Sequence, residues 1–221
     1  APDLVELQCL LGGQEREIMG CRLVSVRSPA ETQVVMDQLT SWLKLHPVLA
    51  KSRAELSGVR NGYVDHGKLG MDRWLALVAG YNHCRRACVV IDLGTAVTVD
   101  FVDASGQHLG GYIAPGSKLL RTSLQRHTRL IRYDESLRGD LLQPDPGTST
   151  AEAVEFGCDL MLVGFVREQL KVARQILGDE MVVILTGGDA ERMADALPET
   201  CHTLNDLVFD GLALACPVEI D

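Results

Sequence analysis

ACVVIDLGTAVTVDFVDASGQHLGGYI, residues 87–113, decides the fold. It holds three apolar runs of strand length, residues 87–91, 96–102 and 107–113, separated by Leu93-Gly94-Thr95 and Ala104-Ser105-Gly106. Short runs rich in β-branched residues and bounded by turn formers read as strands, and two short turns in succession make neighbours antiparallel. An antiparallel meander is expected. On its C-terminal side, Pro115-Gly116 opens a helix to about Arg129, and Thr150 caps a long helix to about Leu177, with Val154, Cys158, Met161, Leu162, Phe165 and Val166 at helical spacing. Between the two runs a polar connection with Pro144, Asp145, Pro146 and Gly147. An apolar strand over residues 181–185, a break at Thr186-Gly187-Gly188, a helix from about Asp189 and a last helix over 207–215 complete this half.

On the N-terminal side, residues 72–86 carry Trp74, Leu75, Leu77, Val78 and Tyr81 as a helical stripe. Residues 57–70, with Gly58, Gly62, Gly67 and Gly70, read as one long functional loop. Before it come a strand at 21–27, a helix opened by Ser28-Pro29, and a short strand at 47–50. Two short strands make a marginal sheet, so earlier strands are expected upstream of Ala1. The organisation is α/β with mixed sheets: an incomplete N-terminal domain, residues 1–86, and a C-terminal domain, residues 87–221.

Composition narrows the function. With 221 residues, 46% hydrophobic and 23% charged, the chain can bury a globular core. Its 30 acidic against 21 basic residues give a net charge of -9, which disfavours nucleic acid and anionic membrane surfaces. No apolar stretch approaches the ~18 residues of a membrane span, since Asp92 and Asp100 interrupt the best candidate. Seven cysteines without a Cys-x-x-Cys pair suit reduced cytosolic thiols; His83, Cys84 and Cys88 come nearest to a ligand cluster.

Four segments could carry chemistry. In Asp92-Leu93-Gly94-Thr95 a carboxylate, a glycine turn and a hydroxyl could hold a cation and a phosphate, although an ordinary hairpin uses the same residues. In Gly70-Met71-Asp72-Arg73-Trp74, Asp72 suits a helix cap, or with Arg73 a base beside an anion-binding guanidinium. Gly111 and Gly116 have phosphate-loop separation, but Lys118 falls one position late with no hydroxyl after it, so that motif is rejected. Thr186-Gly187-Gly188-Asp189 lies between strand and helix, where backbone amides can face a ligand or merely turn the chain.

In order and spacing, Gly-x-Asp-Arg-Trp, Asp-Leu-Gly-Thr-Ala-Val-Thr, Gly-Gly-Tyr-Ile-x-Pro-Gly, Thr150-Ala151-Glu152-Ala153-Val154 and Thr-Gly-Gly-Asp-Ala together resemble type III pantothenate kinase, over about residues 20–217. The resemblance implies an actin-like ATPase (ribonuclease H-like) fold of two related domains around a nucleotide cleft. It implies ATP-dependent phosphorylation of pantothenate, with Asp72 as catalytic base and Tyr63, Gly70, Met71, Arg73 and Thr150 as substrate contacts. It further implies ATP contacts at Gly94, Thr95, Gly187 and Gly188, a monovalent cation (K+ or NH4+) on Asp92, Mg2+ with the nucleotide, a cytoplasmic location, and a homodimer through the long helix. The family's first phosphate motif, Asp-x-Gly-Asn-Ser/Thr, has no counterpart in these residues, and a non-catalytic relative that binds a small molecule or regulatory partner is the alternative.

Overall fold

The computed structural model describes residues 4–11, 13, 17–128, 145–198 and 200–217. In chain order its elements are α1 (Leu4–Leu11), β1 (Arg22–Leu23), α2 (Pro29–Leu43), β2 (Val48–Leu49), β3 (Glu55–Leu56), β4 (Val59–Arg60), a 3-10 turn (His66–Lys68) and α3 (Met71–Cys84). Then follow β5 (Cys88–Leu93), β6 (Ala96–Val102), β7 (His108–Pro115), α4 (Ser117–His127), α5 (Thr150–Leu177), β8 (Val182–Thr186), α6 (Ala190–Ala196), β9 (Cys201–Thr203) and α7 (Leu207–Ala215).

The meander forms as expected: β5 pairs antiparallel with β6 and β6 with β7. Parallel pairing of β8 to β5 and of β9 to β8 extends it into a five-stranded mixed sheet, ordered β7-β6-β5-β8-β9. β5 is apolar on both faces because it is covered on both. Val89, Ile91 and Leu93 join Val97, Val99 and Phe101 of β6 in a core under α5 and α6. Cys88 and Val90 face the other way, into a core with Trp74, Leu75, Leu77 and Val78 of α3 and Leu207 and Leu212 of α7. Strand alternation then puts Asp92, Thr98 and Asp100 on the α3 face, and this places the site.

The N-terminal segments fold as β1-α2-β2, the two strands parallel. Ser28 opens α2 with a capping box to Glu31. The expected strands shrink to two residues each. Three expectations need correction. Residues 57–70 are not one loop: β3 and β4 pair as a hairpin whose turn, Ser57-Gly58, has both φ angles positive (50° and 84°). That geometry twists with the strands it joins, and strands this short leave no alternation to read. α5 is capped by Ser149, in a capping box with Glu152, and Thr150 is its first helical residue. β9, three residues at the sheet edge, and α1 were not expected. The end of α4 expected at Arg129, and Pro144, lie outside the described residues; α4 closes at His127. Among the described residues no helix is long and apolar enough to cross a membrane.

Candidate active site

β5, β7 and β8 run the same way, so the turns that follow them gather at one end of the sheet, where open α/β sheets bind ligands. Hydrogen bonds tie the turns together: Gly94 N–H donates to Ala96 O (3.1 Å), Gly116 N–H to Thr95 O (3.0 Å) and Asp189 N–H to Leu93 O (3.2 Å). Gly187, at φ +91°, lies against Asp92 so closely that a Cβ there would come 2.5 Å from Asp92 Oδ1. Asp92, Gly94, Thr95 and Gly187 are therefore one assembly, with Gly188 next in the chain. Beside it a cavity of about 390 Å³ is lined by Gly187, Gly188, Glu191 and Asn205. Glu191 and Asn205 were not expected here, since both are ordinary surface residue types outside any motif.

α3 starts at the same end. Its N-cap is Gly70, which offers no side chain, so Asp72 is not the cap. The Asp72 carboxylate lies two positions further in and accepts the Arg73 N–H (2.8 Å). Asp92 sits in register between Thr98 and Thr186. Burial, and then the negative charge of Asp72, hold its carboxyl above the usual range. Two carboxylates close enough to feel each other, facing a glycine-lined turn, form a place for positive charge.

Arg73 is not the open anion receptor that the sequence suggested. It is 6% exposed and engaged on three sides. Nε donates to Asp100 Oδ2 (2.9 Å), Nη2 to Asp100 Oδ1 (2.7 Å) and Nη1 to the Tyr63 hydroxyl (2.9 Å). His108 Nε2 also reaches Asp100 Oδ1 (2.9 Å). A Cβ on Gly111 would stand 2.6 Å from Asp100 Oδ1 and 3.0 Å from Arg73 Nη2, so only glycine leaves room for this pair. Asp100 and His108 were missed. The available signal was a carboxylate inside an apolar strand, which must find a partner when buried.

The other candidates fall on either side. Tyr63 is half-buried beside Arg73, whereas Met71 packs into the α3 core. Thr150 is exposed at the start of α5, with no hydrogen bond to the Tyr63–Arg73 group among the described residues. A second buried ionic group braces the Gly187-Gly188 turn. Arg121 on α4 donates from Nε to Glu155 Oε2 (2.6 Å) and from Nη2 to Asp159 Oδ1 (2.7 Å) on α5. Arg192 bridges Asp159 and Asp189, and the Ser117 hydroxyl donates to Asp189 (3.0 Å). Cys84 and Cys88 meet at the opposite end of α3, about 18 Å from Asp72 along the axis. The Cys88 thiol holds Cys84 down to about 6, and Cys88 itself is pushed up by that bond and by burial. This pair is no part of the site.

The sequence pattern of the type III pantothenate kinase family matches residues 4–172. The type III pantothenate kinase of Ectopseudomonas mendocina (strain ymp) is 54% identical over 209 residues, covering 94% of this chain and 84% of that protein. That of Pseudomonas aeruginosa (strain LESB58) is 53% identical over 211 residues, covering 95% and 85%. Among solved structures, a Campylobacter jejuni protein assigned to the Baf family of transcriptional activators superposes with a TM-score of 0.56 at 18% identity, covering 90% of this chain and 83% of that one. That likeness is one of fold.

Proposed function

The chain belongs to the type III pantothenate kinase family, and from that premise we propose that it transfers the γ-phosphoryl group of ATP to the primary hydroxyl of pantothenate, giving 4'-phosphopantothenate in the first step of coenzyme A biosynthesis. The observation that carries the reading is Asp92 lying against Gly94 and Gly187, with the charge of Asp72, at the start of α3, felt by it. Phosphoryl transfer has a loose transition state, so the protein mainly positions groups and neutralises charge. Asp72 orients the pantothenate hydroxyl and accepts its proton. Arg73 keeps two N–H donors beyond the three already engaged, and these with the Tyr63 hydroxyl meet the polar groups of pantothenate. The Thr95 hydroxyl and the amides of Gly187 and Gly188 meet the nucleotide, Gly94, its own N–H held by Ala96 O, letting the backbone come close, and the adenosine end suits the cavity beside Glu191 and Asn205.

The donor set also fits the proposed ions. Among the described residues no group of three or more His, Cys, Asp or Glu could hold a metal, so no protein cage for a divalent ion is built there. Mg2+ is accordingly carried on the ATP phosphates, where it neutralises the charge that develops. A half-buried carboxylate with Thr98 and Thr186 in register on either side, at Asp92, suits a monovalent K+ or NH4+. The purified protein with MgATP and pantothenate should form 4'-phosphopantothenate, detected by mass spectrometry, in potassium or ammonium buffer and poorly in sodium alone. Absence of product in every buffer refutes the kinase reading, and equal rates in all of them refute the cation role of Asp92.

The proposed assembly is a cytoplasmic homodimer paired through α5. At 28 residues α5 spans about 42 Å. Its outer face carries Ala153, Gly157, Leu160, Met161 and Gly164 at helical spacing, with Leu160 57% and Met161 62% exposed. Leu162 and Phe165 turn toward the protein's own core instead, Leu162 fully and Phe165 in part. Light scattering should therefore give twice the 24.1 kDa chain mass, and Met161→Glu should halve it with an unchanged circular dichroism spectrum. A wild-type monomer at micromolar concentration rules the dimer out.

A further inference from the structure

We propose that Asp100 on β6 and His108 on β7 are positioning residues for the substrate: they lock Arg73 and Tyr63, the residues that the pantothenate reading puts against it, into one arrangement. The inference rests on that reading and adds two residues to it. Asp100 is 2% exposed, facing α3 between Val90 and Gly111 in strand register. A carboxylate there needs compensation, and Arg73 supplies it as a two-pronged pair, Nε to Oδ2 and Nη2 to Oδ1. If the role of Asp100 ended with that pair, it would be a structural anchor for α3 and nothing more.

His108 makes the difference. Its ring is 1% exposed and uses both nitrogens. Nδ1 lies 3.4 Å from the Gly62 N–H, so it is assigned as the acceptor, and Nε2 then carries the proton donated to Asp100 Oδ1 at 2.9 Å. The same ring stacks on Tyr63, centroids 6.0 Å apart and planes 13° from parallel. Tyr63 in turn accepts from Arg73 Nη1 and lies under its guanidinium, 5.7 Å from ring centroid to Cζ. Asp100, Arg73, Tyr63 and His108 thus close a ring of four contacts that joins two strands, the start of α3 and the 61–63 segment. Asn61 Oδ1, accepting from the Tyr63 N–H at 3.0 Å, fixes that segment from behind.

The ring leaves specific donors unspent. The Tyr63 oxygen is occupied as an acceptor, so its proton points elsewhere and is a stronger donor for having a guanidinium behind it. Arg73 retains one N–H on Nη1 and one on Nη2. These three donors suit a carboxylate or amide oxygen, and their direction depends on the stack and on the Asp100 fork. Without His108, Tyr63 loses the surface that sets its ring plane, and a small misplacement of a binding group is costly.

Steady-state kinetics on the intact enzyme test this. His108→Leu should raise the pantothenate KM about tenfold, leaving the ATP KM and kcat within about twofold. His108→Gln, which can still accept from Gly62 and donate to Asp100 but cannot stack, should raise it about threefold, and it carries the test if the leucine variant fails to fold. Tyr63→Phe, which keeps the stacked ring but removes the hydroxyl that the stack aims, should match His108→Leu, and the double variant should be no worse than Tyr63→Phe, because His108 acts on the substrate through that hydroxyl. An unmoved pantothenate KM in His108→Leu and His108→Gln overturns the inference, as does an equal rise in both KM values or a multiplicative double variant. In each of those cases the wild type still phosphorylates pantothenate and the functional reading stands. A wild type without that activity sinks both.

Discussion

Asp72→Asn should lower kcat by about 10²- to 10⁴-fold, the range for loss of a general base, while the protein folds as before. The structure separates the two effects. Gly70 is the N-cap of α3, so no cap is lost, and an asparagine Oδ1 can still accept the Arg73 N–H that Asp72 takes at 2.8 Å. What the amide cannot do is take up the proton of a substrate hydroxyl. Stability supplies an independent readout through Asp92, whose folded carboxyl is raised by burial and by Asp72. An acid with a raised folded pKa favours folding at low pH, and that contribution disappears as pH climbs through the folded value. Removing the Asp72 charge shrinks the upward shift, so the variant should be at least as stable as wild type at neutral pH and above. A variant with wild-type kcat makes Asp72 a structural residue, and one that is inactive but also markedly less stable at neutral pH leaves the base role without support.

What could be read along the chain was whatever depends on neighbours in sequence. The β5-β6-β7 meander was legible because Cys88–Leu93 and Ala96–Val102 are short runs rich in β-branched residues and the turns between strands are short. The turn assembly was legible because Asp92, Gly94, Thr95, Gly187 and Gly188 each belong to a short motif at a strand end. Strands of two or three residues, β3, β4 and β9, carry no period to detect. The state of Arg73 was illegible for a different reason: its partner Asp100 is 27 residues away, and only strand register brings it under α3. The same holds for Arg121, separated from Glu155 and Asp159 by 34 and 38 residues. Adjacent Asp72 and Arg73 suggested one functional pair, but the carboxylate stays at the helix start, where Asp92 feels its charge, and the guanidinium goes to Asp100 of the sheet.

Arg121→Met should cost about 3–5 kcal/mol of stability, the usual result of removing one partner from a buried ionic group. Methionine keeps most of the apolar stem, so the loss is one of charge rather than of packing. Arg121, Glu155 and Asp159 have side chains 7%, 4% and 6% exposed, respectively. Without the guanidinium, Glu155 loses its 2.6 Å donor, and Asp159 is left with Arg192 at 3.4 Å. For a chain of this size the melting temperature should fall by roughly 10 °C. The pH dependence identifies the cause. Burial already raises the Asp159 carboxyl against the pull of Arg121 and Arg192, so its folded pKa exceeds its unfolded one and its protonation favours the fold as pH drops. Taking Arg121 away moves that folded value further up. The stability deficit of Arg121→Met should therefore be largest at neutral pH and narrow toward pH 5, as Asp159 takes up a proton. A deficit that is constant with pH would mean lost packing instead, and a deficit below about 1 kcal/mol would mean that the network braces nothing. Because Arg192 ties Asp159 to Asp189, directly after the Gly187-Gly188 turn, the same variant should also raise the ATP KM more than the pantothenate KM, the reverse of the pattern expected for His108→Leu.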